Sequence, residues 1–137
     1  MPSLETALRN ATAELAAAGV PSPRVDAELL AAHLLGESVG RVKALAFTDA
    51  EAPEGYPELV AERARRIPLQ HLTGKAYFRR LELSVGPGVF VPRPETETVA
   101  QLAIDQALLV PAPARVADLG TGSGAIAGSV AAEVPGS

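Results

Sequence analysis

The sequence contains no cysteine and no tryptophan, and aromatic residues of any kind make up 4% of its 137 positions. The absence of thiols excludes a disulfide framework, a cysteine nucleophile and a thiolate metal site. Scarce aromatics beside an alanine-rich 47% hydrophobic content favour packed helices over a β-sandwich. Also missing is any basic excess. Twelve Lys and Arg face sixteen Asp and Glu, a formal net charge of −4, so direct nucleic-acid binding is not expected. No apolar run is long enough to span a bilayer, so no membrane association is expected. The opening MPSLETALRN lacks the apolar stretch of a signal peptide, and a cytoplasmic location is the expectation. His33 and His71 have no third partner at ligand spacing, which leaves no expected metal site.

What is present is punctuated clearly. Residues 3–18 read as a helix capped by Ser3, with Leu4, Leu8, Ala11, Leu15 and Ala18 on one stripe and Gly19 as the stop. Ser22 and Pro23 start a second helix, PRVDAELLAAHLL, that faces inward through Val25, Leu29, Leu30 and Leu34 and ends at Gly36. An apolar turn follows at Arg41 to Phe47. The acidic loop TDAEAPEG then leads to a helix from about Pro57 to Arg66. These four short elements form a small bundle.

After Pro68 the pattern changes. Leu81, Leu83 and Val85 alternate with polar residues as in a strand, and KAYFRR is its candidate hairpin partner. Pro87, Pro92 and Pro94 stiffen an extended connector. A helix is expected from about Glu95 to Val110, with Val99, Leu102, Ala103 and Val110 on one apolar side. RVADL at 115–119 is a candidate buried strand, and the glycine loop after it opens the next helix. Strand, loop, helix is the first unit of a doubly wound α/β sheet. Thirteen residues follow Gly124, too few for a further crossover and strand, so the chain is expected to be part of a longer protein. The fold class expected is α+β.

The stretch VADLGTGSGAIA, residues 116–127, carries most of the chemistry. Gly120, Gly122 and Ala125 fit the G-x-G-x-x-G/A pattern of dinucleotide sites, where a pyrophosphate sits at a helix N-terminus. Asp118, however, places a carboxylate beside that position. Two like unit charges about 6 Å apart repel by about 3 kcal/mol at an effective dielectric constant near 20. S-adenosylmethionine reverses the sign, since it carries a cationic sulfonium and ammonium and no phosphate. The charge therefore favours S-adenosylmethionine, with a nicotinamide dinucleotide as the alternative. The glycines let the backbone approach the ligand and turn tightly into the helix.

Three segments in this order, PLQHLTG at 68–74, FVPRPETE at 90–97 and ADLGTGSGAIA at 117–127, resemble the protein-(glutamine-N5) methyltransferases of the HemK/PrmC type. SPRVDAELL at 22–30 is similar to the second helix of that family, so the resemblance covers essentially the whole chain. Members methylate the glutamine of the GGQ motif in peptide chain release factors. The resemblance implies a helical N-terminal domain at 1–67 that contributes to release-factor recognition. It further implies a hairpin and proline-rich linker at 68–94, and at 95–137 the start of a Rossmann-like, S-adenosylmethionine-dependent methyltransferase domain. It assigns Gly120, Thr121, Gly122, Ser123 and Gly124 to the cofactor site, to which the charge argument adds Asp118, and places Pro92, Arg93 and Glu95 beside it. The Asn-Pro-Pro-Tyr motif that holds the substrate amide in the family does not occur in these 137 residues. No catalytic residue is therefore assigned, and the chain by itself is expected to be inert. Two alternatives remain open: an amino-methyltransferase acting on nucleic-acid bases, and a non-catalytic release-factor-binding module. Arg63, Arg65 and Arg66 either complement a helix dipole or, with Lys75, Arg79 and Arg80, form a basic docking patch.

Overall fold

Ser3 begins the first helix, α1 (Leu4–Ala17), its side-chain oxygen accepting the Thr6 backbone N–H at 3.2 Å. The computed structural model describes residues 2–137, which divide into one unit ending at Thr73 and another covering Gly74–Ser137. Among the described residues there are seven helices and one two-stranded antiparallel sheet, a helix-rich α+β composition.

In the first unit, Leu4, Ala7, Leu8, Ala11 and Leu15 bury one stripe of α1. Gly19 stops it in the left-handed region (φ 80°), which lets its own N–H reach Ala16 O and the Val20 N–H reach Leu15 O. Helix α2 (Pro23–Leu35) has proline in its first turn and ends at Gly36, also left-handed. Ser22 occupies the cap position without a side-chain bond. The apolar stretch after it is a full helix, α3 (Val39–Ala46), rather than a turn, because the Ser38 hydroxyl oxygen accepts the Arg41 N–H and caps it. The acidic loop is tied to the start of α1 by Leu4 N–H to Ala50 O (2.8 Å) and Ala52 N–H to Pro2 O (3.1 Å). Helix α4 (Tyr56–Ala64) and the short α5 (Leu69–Thr73) complete the unit.

The inward face of α2 differs from the sequence expectation. Val25 is 55% exposed, Leu34 points outward and Leu29 is half-buried, whereas Ala27, Leu30 and Ala31 are buried. This helix carries apolar residues all round, so periodicity alone does not select a face. Small alanines allow α1 to approach closely. The turn so chosen also buries Asp26 and Glu28, each beside a cationic partner: Arg63 Nε stands 2.8 Å from Asp26 Oδ2, and Arg24 Nε 3.4 Å from Glu28 Oε1. Leu4, Leu8, Leu15, Leu30, Val42, Tyr56 and Val60 form the centre of the core, with the Tyr56 hydroxyl donating to Ala27 O at 2.7 Å.

In the second unit, β1 (Lys75–Phe78) and β2 (Leu81–Ser84) pair antiparallel in the register Phe78 to Leu81 and Lys75 to Ser84. The expected hairpin is therefore present, turning through Arg79 and Arg80. Ala76 and Phe78 are buried while Lys75 and Tyr77 face outward. Helix α6 (Thr96–Leu109) buries Ala100, Ile104 and Ala107 against α7 (Ala125–Glu133), β1 and the chain between the helices. The predicted face was again offset: Val99 and Leu102 are 53% and 61% exposed and Val110 also lies outside, leaving Ala103 alone of that set packed inward.

Residues 115–119 are not a strand in this structure. Val116 is half exposed and Leu119 is 93% exposed. A buried parallel strand requires hydrogen-bonded neighbours on both edges and cover on both faces. Among the described residues the only strands are β1 and β2, which pair with each other.

Candidate functional site

The glycine loop owes its shape to backbone sign. Gly120, Gly122 and Gly124 all have positive φ, at 68°, 57° and 83°. A side chain at any of them would meet open space, so conformation rather than crowding demands glycine there. Gly124 N–H closes a turn onto Thr121 O at 2.9 Å, and its own carbonyl accepts from Gly128 at 2.8 Å, the first turn of α7.

Asp118 organises this loop. Its Oδ2 accepts the Thr121 hydroxyl at 3.0 Å and the Ala127 backbone N–H at 3.1 Å. Ala127 is the third residue of α7, so the carboxylate fills the role that a capping side chain normally plays, although it lies nine residues away. The positive end of the helix and one of its unpaired donors are thus already matched by an anion belonging to the chain. A phosphate would compete with that carboxylate; a cationic ligand would not. The structure therefore brings Asp118, Thr121 and the three glycines into one constellation, with Ser123 half-buried inside the turn.

Pro92, Arg93 and Glu95 lie in the turn leading into α6, where the Thr96, Glu97 and Thr98 N–H groups bond to Arg93, Pro94 and Glu95 carbonyls. Among the described residues none of the three makes a hydrogen bond or ion pair with the glycine loop. Their neighbour Glu97 has a defined task, accepting the Arg79 N–H at 3.0 Å.

The candidate basic patch is largely neutralised within each unit. Arg63 pairs with Asp26 and donates to Ile67 O, while Arg66 donates from Nη1 to Ala18 O and Gly19 O and so closes the end of α1. Lys75 pairs with Glu82 at 3.0 Å, and that hydrogen bond raises its pKa. Arg79 binds Glu133 through two nitrogens, which raises the arginine pKa and lowers that of the carboxyl, chiefly by the same hydrogen bonds. Arg80 Nε stands 3.8 Å from Glu133 as well. A sequence-local reading missed these partners because the acids lie far along the chain. It also passed over Glu28, Lys43 and Phe47, which share a cleft between α1, α2 and α3 and carry no motif.

No helix among the described residues is long and apolar enough to cross a membrane. Residues 6–74 match the family model described as the PrmC N-terminal domain. The chain is 54% identical over 135 residues to the release factor glutamine methyltransferase of Mycolicibacterium smegmatis, covering 98% of this chain and 47% of that protein. It is 58% identical over 127 residues to the protein of the same name from Streptomyces coelicolor, covering 91% and 44%. The Deinococcus radiodurans protein of that name is 41% identical over 143 residues, covering 96% and 48%. The chain thus spans less than half the length of these curated relatives. It belongs to the family of PrmC-type protein-(glutamine-N5) methyltransferases, and it corresponds to their N-terminal part.

Proposed function

We propose that the intact protein transfers a methyl group from S-adenosylmethionine to the N5 nitrogen of the GGQ glutamine in peptide chain release factors. The relatives' names and the three ordered motifs support the activity and the substrate. Asp118 supports the cofactor most directly, because it holds a negative charge against the turn into α7. In this scheme residues 1–67 contribute release-factor recognition, 68–94 link, and 95–137 open a Rossmann-like methyltransferase domain working in the cytoplasm.

When bound, S-adenosylmethionine supplies a methyl group on a sulfonium. Gly120, Gly122 and Gly124 keep the loop backbone bare for close approach, Thr121 and Ser123 offer hydroxyls, and Asp118 fixes the loop while favouring positive charge. Pro92, Arg93 and Glu95 stand as further candidates from the proline-rich turn. An amide nitrogen is a poor nucleophile, since its lone pair is delocalised into the carbonyl. The protein must therefore hold that nitrogen in line with the methyl group and accept its hydrogen bonds as positive charge develops. In the family an Asn-Pro-Pro-Tyr motif performs that task, and it does not occur in these 137 residues.

A second reading, that this chain alone serves as a partner-binding module, draws on a specific contrast. The first unit has a continuous buried core, whereas residues 115–119 lack strand neighbours. Incubating the intact protein with methyl-labelled S-adenosylmethionine, a release factor and an adenine-containing DNA tests the assignment. Label on the release-factor glutamine is expected; label on DNA alone would assign the activity to nucleic-acid bases instead.

A further inference from the structure

We infer that the cleft between α1, α2 and α3 is a recognition pocket for an uncharged carboxamide side chain on the surface of a protein partner. The cleft measures about 370 Å³ and is lined by Glu5, Arg24, Glu28, Lys43, Ala46 and Phe47. At its base the Glu28 side chain is 7% exposed, and its Oε2 makes no hydrogen bond among the described residues. A buried acceptor without a donor is costly, and native structures satisfy nearly all of them. Oε1 is served by Arg24 Nε at 3.4 Å, and Arg24 Nη2 reaches Glu5 Oε2 at 3.3 Å. The Lys43 ammonium stands 4.0 Å from Oε2, beyond hydrogen-bond length.

That gap sets the chemistry of the occupant. Glu28 Oε2 and the Lys43 ammonium form a long ion pair without a hydrogen bond, so a group that both donates and accepts bridges them. A carboxamide N–H reaches Glu28 Oε2 while its oxygen accepts from Lys43 Nζ. The two acids and two cations of the cleft sum to zero, so a charged occupant would gain one partner and face a like charge. Phe47 forms the lip at 92% exposure, an anchor of the kind that larger surfaces cover on docking.

Identification of the partner as a release factor rests on the proposed function; the pocket chemistry does not. The test follows amide resonances of this chain during titration with propionamide, propionate and propylammonium. It also compares release-factor binding by wild type, Phe47→Ala and Lys43→Met, two exposed positions whose replacement leaves the core intact. Propionamide should move the Glu28, Lys43 and Phe47 resonances saturably at millimolar concentration while the two ions do not, and both variants should lose at least tenfold in release-factor affinity. The inference is overturned if propionamide leaves those resonances unmoved, or if wild type and both variants bind release factor with the same measurable affinity. If release factor ignores even the wild type while propionamide still saturates the cleft, the partner assignment fails and the pocket stands.

Discussion

Arg79 holds Glu133 with two nitrogens, Nε at 2.7 Å and Nη2 at 2.8 Å, and thereby fastens the hairpin turn to the last residue of α7. The same Nη2 reaches Gln101 at 2.8 Å, and the Arg79 backbone N–H binds Glu97, so one residue collects α6 and α7 onto the turn. It does so at φ 49°, a conformation that ordinarily favours glycine.

Two opposing effects can therefore be separated at this position. Arg79→Gly relieves the backbone and removes the clamp; Arg79→Lys keeps the charge and loses the fork. Both variants are expected to melt below wild type: the backbone bond to Glu97 survives in each, but the three guanidinium bonds to Glu133 and Gln101 are lost or weakened, and in Arg79→Gly that loss outweighs the relief of one strained φ. The lowered Glu133 pKa fixes the pH trend. Its contribution to stability is present above the ordinary carboxyl value of 4.5 and is lost as pH falls through the lower folded value. Thermal melts from pH 7 to 3 should show a shallower acid decline in Arg79→Gly than in wild type.

At the glycine loop, charge and hydrogen bonding can be dissected by paired substitutions. Asp118→Ala removes the acceptor for Thr121 and Ala127 and should cost about 1 kcal/mol of stability, as for a lost cap. Asp118→Asn keeps an acceptor and should change stability little. In the intact protein, on the proposed function, it should still weaken S-adenosylmethionine binding by about tenfold, or about 1.4 kcal/mol. Equal cofactor affinity in wild type and Asp118→Asn would remove the charge from the account. Gly124→Ala, forced to φ 83°, should cost about 1–2 kcal/mol.

Tyr56 provides a test of the first unit. Burial raises its pKa well above the ordinary 10.0, since the phenolate cannot keep its charge in the core. The associated stability is complete below pH 10 and is lost as pH rises above it, where the unfolded chain ionises first. Tyr56→Phe removes the bond to Ala27 O and should lower stability by about 1 kcal/mol at neutral pH. It should also flatten the alkaline decline, which denaturant titrations at pH 7 and above pH 10 would reveal.

Arg63 completes the set. It neutralises the buried Asp26 and satisfies Ile67 O, so Arg63→Ala strands a carboxylate in the core and should cost about 3 kcal/mol. Replacing Asp26 and Arg63 together with apolar residues should recover most of that loss. A double-mutant cycle by denaturant unfolding measures the difference.

What the sequence disclosed was local. Ser3, Gly19, Pro23 and Gly36 bracket α1 and α2 because caps and stops act within one helical turn. The buried faces of α2 and α6 were not legible: α2 turns Ala27, Leu30 and Ala31 inward beside Asp26 and Glu28, and α6 turns Ala100, Ile104 and Ala107 inward, while the larger Val25, Val99 and Leu102 stay exposed. Asp118 was visible as a charge, but its bond to Ala127 depended on how the loop folds back. The basic patch misled for a related reason. Arg63 finds its acid 37 residues away and Arg79 finds its own 54 away, separations that no periodicity records.

Calorimetry of the intact protein with S-adenosylmethionine and, separately, with NADH tests the central claim most directly. Saturable heat with S-adenosylmethionine, weakened in Asp118→Asn, and none with NADH is the predicted result. Tight NADH binding at this loop, with none of the methyl donor, would contradict it.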